Sequence, residues 1–280
     1  MKLLRYGRPG KEKPGMLDDE GRIRDLSRLI DDITPDVLSS AALRKLKAAK
    51  NLPIVRGKPR LGPPVAGIGK LVAIGLNYAD HAKEAGQPIP KEPVVFLKPT
   101  GCIIGANDTV VLPKGAKKGD WEVELAVVIG RKAKYVSRKA GLDYVAGYAI
   151  ANDVSERAYQ IERGGGQWTK GKACDTFAPL GPWLVTRDEV KNPQRLDLWC
   201  EVNGKRMQSG NTRTMIFAVD YLVSYLSQFM TLDPGDVIIT GTPPGVGLGM
   251  KPPKFLKPGD VMRLGISGLG EQCQDVRRDA

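Results

Sequence analysis

The 280-residue chain contains a single histidine, so any imidazole chemistry it performs must fall on His81. Its four cysteines, Cys102, Cys174, Cys200 and Cys273, lie far apart and form no CxxC pair. That points away from a zinc ribbon or a disulfide framework and suits a reducing compartment. No apolar run approaches the ~20 residues of a membrane-spanning helix, and the opening MKLLRYG lacks the apolar core of a signal peptide, so a cytoplasmic protein is expected. Aromatic residues make up only 6% of the chain, and its basic residues are scattered. The clustered, aromatic-interleaved footprint of a nucleic-acid binder is therefore missing, although Lys and Arg outnumber Asp and Glu by 43 to 31. The net charge of +12 favours a small anionic ligand instead. The loop Gly241-Thr242-Pro243-Pro244-Gly245-Val246-Gly247 lacks the Gly-Lys-Ser/Thr ending of a phosphate-binding P-loop. A tight turn offering backbone amides and the Thr242 hydroxyl to a carboxylate fits it better.

Punctuation by Gly and Pro organises the chain. Short strands are expected around MKLLRYG, PGMLDD and RIRDLS, then a helix from Pro35 to Ala49 started by Thr34-Pro35. The Pro- and Gly-rich stretch NLPIVRGKPRLGPPVAGIGK reads as an extended linker. This divides the chain into a small N-terminal domain, residues 1–66, and a main domain, residues 67–280. The main domain has many strand-like runs, among them LVAIGL, EPVVFLK, WEVELAVVIG, YVAGYAIAND and DVIITG. Its best helical pattern is TRTMIFAVDYLVSYLSQF. A β-rich α+β body fits this better than alternating βα units.

Four groups of residues carry chemistry. Glu122 and Glu124 are two apart in a strand-like run and so share one face, with Trp121, Val123 and Leu125 behind them. Buried together they would need a proton, a lysine or a metal; on an open edge they would merely be hydrated. Asp153 ends the apolar run YVAGYAIAND, from where it can reach the same pocket or cap a helix formed by SERAYQIE. Three carboxylates suit a hard cation, Mg²⁺ or Mn²⁺, in preference to zinc. His81 and Glu84 fall one helical turn apart in a short segment, residues 77–86, between Gly-rich flanks. A carboxylate there fixes the imidazole tautomer for use as a base, and the segment could form a lid; a surface histidine on a charged helix is the plain alternative. Lys172, in a segment of small residues, could offset the carboxylates, whereas Lys170 reads as a solvated loop lysine.

Taken in order and spacing, N-Y-x-x-H-x-x-E (77–84), W-E-x-E-L-x-x-V-I-G (121–130), N-D-V-S-E-R (152–157), G-K-x-x-D-T-F-x-P-L-G-P (171–182) and P-G-D-V-I-x-T-G-T-P-x-G-V-G (234–247) resemble the fumarylacetoacetate hydrolase family. The resemblance covers about residues 67–270. It implies a mixed β-roll catalytic domain with a small N-terminal α/β domain, commonly in a homodimer. By the same resemblance, Glu122, Glu124 and Asp153 bind Mg²⁺ or Mn²⁺, Lys172 is the site lysine, and His81 with Glu84 forms a lid dyad. Gln160 matches a substrate-positioning glutamine, and Thr242 falls in the turn that receives the substrate carboxylate. Ala158 departs from the pattern, since many relatives carry an acid there. The N-terminal segment and residues 155–186 look most like a branch acting on 2,4-diketo-3-deoxy-L-fuconate or L-rhamnonate. The implied reaction is metal-dependent hydrolysis of a C–C bond in a 2,4-dioxo acid, giving pyruvate and a second acid such as lactate. Oxaloacetate decarboxylation, acylpyruvate cleavage and ureidoglycolate cleavage are alternatives on the same scaffold.

Overall fold

The runs Val123–Ile129 and Val145–Asn152 are buried along their whole length, which requires cover on both faces and places them inside a sheet rather than at its edge. In the computed structural model, which describes residues 1–84 and 86–280, they pair antiparallel with Glu124 opposite Ala151. Ala178–Thr186 flanks one side of the pair. On the other side come Val237–Ile239, then Leu71–Gly75 and Val94–Lys98. The N-terminal strand Lys2–Tyr6 hydrogen-bonds to Ala178–Thr186 and extends the same sheet outward through Lys13–Leu17 and Ile23–Asp25. Among the described residues this sheet has eleven strands.

Alternation along Val123–Ile129 sorts its side chains between two apolar layers. Val123, Leu125, Val127 and Ile129 join one layer, with Leu198, Met262 and Leu264 of a second, five-stranded sheet and with Leu222 and Leu226 of the helix Val219–Phe229. Ala126 and Val128 face the other layer, which is closed by Leu26, Ile33, Leu38 and Leu46 from the N-terminal segment. Each fully buried Val, Leu or Ile stabilises the fold by about 1.5–3 kcal/mol. Glu122 and Glu124 are in phase with Ala126 and Val128, so the strand that anchors the core also aims both carboxylates to one side. The mixed β-sheets with few helices agree with the α+β, β-rich class expected from the sequence. No helix is long and apolar enough among the described residues to cross a membrane.

Two expected helices are shorter than their sequence patterns. The stretch beginning at Pro35 splits into a 3₁₀ turn, Pro35–Leu38, and an α-helix, Ser40–Lys47. Ser39 divides them because its backbone is extended and its hydroxyl accepts the Ala42 N–H at 3.2 Å, which makes it an N-cap. The later helix begins only at Val219. Ahead of it, the Asn77 side chain accepts the Phe217 N–H at 2.8 Å, and the Asn77 carbonyl accepts the Ile216 N–H at 2.8 Å. Those long-range bonds engage backbone groups that a longer helix would need.

Candidate active site

The three carboxylates meet at the end of the central strand pair. One oxygen each from Glu122, Glu124 and Asp153 lie within 4.8 Å of one another, and all three residues are buried. Glu122 precedes the strand, and its carbonyl accepts the Asp153 N–H at 2.9 Å, so the backbone ladder itself brings Asp153 beside the pair. Asp153 caps no helix. The chain after it forms a two-residue strand, Ser155–Glu156, and a π-helical turn, Ala158–Glu162.

Cations fill the space around these oxygens unevenly. Lys172 Nζ donates to Glu122 Oε2 at 2.8 Å and to Asp153 Oδ2 at 2.7 Å. Lys98, itself fully buried, donates to Asp153 Oδ1 at 2.6 Å. Arg157 divides its guanidinium between Asp120 at 2.8 Å and Glu122 at 2.6 Å. Burial pushes the Glu122 carboxyl up, but Lys172 and Arg157 outweigh it and hold the group below the usual carboxylate range. Glu124 differs: it accepts the Gly241 N–H at 2.7 Å and forms no ion pair among the described residues. Burial, with Asp153 and Glu122 alongside, drives its carboxyl well above the ordinary range. An acid without a cationic partner, buried beside two others, fits a divalent cation, and the all-oxygen donor set fits Mg²⁺ or Mn²⁺.

A cavity of about 640 Å³ opens above this floor, and all eight residues singled out in the sequence line it: His81, Glu84, Glu122, Glu124, Asp153, Gln160, Lys172 and Thr242. His81 and Glu84 lie on the helix Ala79–Glu84; Ala85, in the same sequence segment, is outside the described residues. His81 Nδ1 is 3.0 Å from Glu84 Oε2, and the Glu84 carboxylate also accepts the Gly245 N–H at 2.9 Å. With Glu84 ionised, the ring proton sits on Nδ1, which leaves the Nε2 lone pair available as a base. The Gln160 carboxamide oxygen accepts from Arg157 at 2.9 Å, leaving its amide N–H groups as donors. The Thr242 hydroxyl donates to the Val123 carbonyl at 2.9 Å and accepts from Gln208 at 2.8 Å, so it is engaged by the protein. At Ala158 no acid is present, and the Glu156 carboxylate instead accepts the Tyr159 N–H at 2.6 Å.

Sequence reading passed over Lys98, Arg157 and Asp120. A faint signal existed for the first, because a lysine closes the otherwise apolar run VVFL. Arg157 stands in N-D-V-S-E-R, but nothing local reveals that it reaches Asp120, 37 positions away.

Comparison with known proteins gives the family of the chain. The family model described as fumarylacetoacetate (FAA) hydrolase C-terminal matches residues 70–277. A Burkholderia cenocepacia protein provisionally named a hydrolase is 64% identical over 280 residues, covering 99% of each chain. A solved fumarylacetoacetate hydrolase from the psychrophile Exiguobacterium antarcticum is 33% identical with a TM-score of 0.86, covering 100% of both chains. Maleylpyruvate hydrolase from Sphingobium sp. SYK-6, solved with manganese(II) and pyruvate, is 30% identical with a TM-score of 0.83, again over 100% of both chains. With a family model spanning most of its length and relatives matched from end to end, the chain belongs to the fumarylacetoacetate hydrolase family.

Proposed function

We propose that this protein is a divalent-metal-dependent hydrolase that cleaves the C3–C4 bond of a 2,4-dioxo acid, giving pyruvate and a second carboxylic acid. The observation that carries the reading is the buried Glu124, with no ion pair among the described residues, beside Glu122 and Asp153 in one cavity with the His81–Glu84 dyad. Held by those three carboxylates, Mg²⁺ or Mn²⁺ would supply Lewis-acid polarisation of the 2-oxo group and an attraction for the substrate carboxylate. The manganese and pyruvate in the Sphingobium enzyme support this assignment.

The protein's own groups then divide the work. Gln160 offers amide donors to orient the substrate, and the turn at Thr242 braces the pocket, since the neighbouring Gly241 N–H holds Glu124. His81 Nε2 removes a proton from water as the oxygen attacks C4, and Glu84 stabilises the imidazolium that forms. The C3–C4 bond breaks with its electron pair moving to the three-carbon fragment. Lys172, which donates to both Glu122 and Asp153, is the cation assigned to meet the developing negative charge. Protonation at C3 completes pyruvate, and C4 leaves as the carboxyl carbon of the second acid. If the tail is that of a deoxy-sugar acid, as the N-terminal resemblance suggests, the second acid is lactate. The same reading takes the protein as a cytoplasmic homodimer acting on a small anionic oxo acid, without a nucleic-acid partner.

Coupled assays test the proposal, reading pyruvate from 2,4-dioxo acids and oxaloacetate and glyoxylate from ureidoglycolate, each with Mn²⁺, with Mg²⁺ and with chelator. Metal-dependent pyruvate from the dioxo acids, lost in Glu124→Gln, is the expected result. Pyruvate from oxaloacetate alone, or release indifferent to chelator, would overturn it.

A further inference from the structure

The cavity changes character from floor to mouth. Charged groups line its floor, but an apolar surface begins close to them: the Phe96 ring lies 5.3 Å from Lys172 Nζ, and Trp168 stands edge-on to Phe96 at 5.6 Å. Trp168 is seated by Gly75, where a Cβ would fall 2.2 Å from its ring. Ile161, Leu248 and Met250 continue the lining. Two of these remain open to water, Ile161 at 55% and Leu248 at 38% exposure. Scattered apolar side chains on a surface need no explanation; gathered around one cavity with a charged floor, they describe an amphiphilic ligand.

Size points the same way. At roughly 30 Å³ for each water-sized group, the cavity of about 640 Å³ has room for about twenty such groups, more than twice what a dioxo-acid head requires. We infer that the group beyond C4 is an apolar alkyl or aryl tail of several carbons, lodged between Trp168 and the Leu248–Met250 side of the cavity, with Ile161 at the rim. This rests on the 2,4-dioxo-acid reading and narrows it. Oxaloacetate leaves these walls wet, and the two-carbon, singly hydroxylated tail of a lactate-yielding acid covers little of them while its hydroxyl gives up hydration. The remaining polar side chains of the lining outside the floor and the dyad include Gln87 and Lys251, both exposed.

The test is a series of straight-chain acylpyruvates, from acetyl to hexanoyl, assayed with Mn²⁺ beside benzoylpyruvate, a diketo-deoxy-sugar acid and an acylpyruvate with a terminal carboxylate. We expect kcat/KM to rise about fourfold per added methylene. Leu248→Gln and Trp168→Ala should each lower the hexanoyl-to-acetyl ratio at least tenfold. A flat series, or preference for the hydroxylated or terminally carboxylated tail, overturns the inference. Calorimetric binding of 2-oxobutanoate through 2-oxooctanoate to the Mn²⁺-loaded protein separates the two layers of the argument. Affinity that climbs with chain length while no acylpyruvate is cleaved sinks only the hydrolase reading. Cleavage with length-independent affinity and rate sinks only the apolar tail.

Discussion

At the scale of single residues, the site depends on which charges have partners. Asp153 is held by two lysines and Glu122 by Lys172 and Arg157, while Glu124 has, among the described residues, only a backbone N–H for a partner. That asymmetry leaves the charge of one carboxyl in the cluster without a side-chain counter-charge among the described residues. The i, i+2 spacing of Glu122 and Glu124 could be read from the sequence because a strand has a fixed period. The partnership of Lys98 with Asp153 could not, because it spans 55 positions and depends on how two separate strands are packed. His81 is predicted to act on the proton and not on the metal. His81→Ala should lower kcat by about 10²–10⁴-fold while Mn²⁺ affinity, read by calorimetry, stays within error of the parent. A parallel loss of Mn²⁺ binding would show that the imidazole belongs to the metal's surroundings instead.

Among elements, the central strand pair positions the chemistry and tolerates little change. Gly147 lies where a Cβ would meet the Val185 carbonyl oxygen at 2.3 Å, so Gly147→Ala must push apart Val145–Asn152 and Ala178–Thr186, the strands that carry the chain into Asp153 and out from Lys172. Its cost is predicted at about 1–3 kcal/mol, with loss of activity at temperatures where the parent is intact. Ser39→Ala removes only an N-cap on a peripheral helix and should cost about 1 kcal/mol without altering kcat; urea unfolding monitored by circular dichroism measures both. These elements also show where periodicity misleads. The apolar spacing before Val219 is helical, yet Asn77 draws the backbone of Ile216 and Phe217 into its own hydrogen bonds. The pattern SERAYQIE suggested an ordinary helix, yet Ser155–Glu156 pairs with Gly119–Asp120 and only a π-helical turn follows. In both places a partner distant in sequence outcompetes the local preference.

Across the whole molecule, the site joins elements that are far apart in the chain: the helix at His81, the strands ending in Lys98 and beginning at Val123, Asp153 after its strand, Lys172 and the Thr242 turn. A cation bound among Glu122, Glu124 and Asp153 therefore ties the fold together, and binding to the folded state alone stabilises it by mass action. With Mn²⁺ at about a hundred times its Kd, Tm should rise by about 5 °C, and Glu124→Gln should abolish the rise; an equal rise in that variant would place the ion elsewhere. The sequence by itself determined the β-rich class, the strand that bears Glu124 with Glu122 just before it, and the candidacy of the lone histidine, because strand period, burial pattern and residue scarcity are properties of local chemistry. Only the tertiary structure decided that Lys98 and Arg157 brace the carboxylates, that Glu124 alone of the three has no ion pair among the described residues, and that apolar walls face a charged floor. Those facts arise from long-range packing, where burial removes water and makes the position of each charge depend on which distant segment lies beside it.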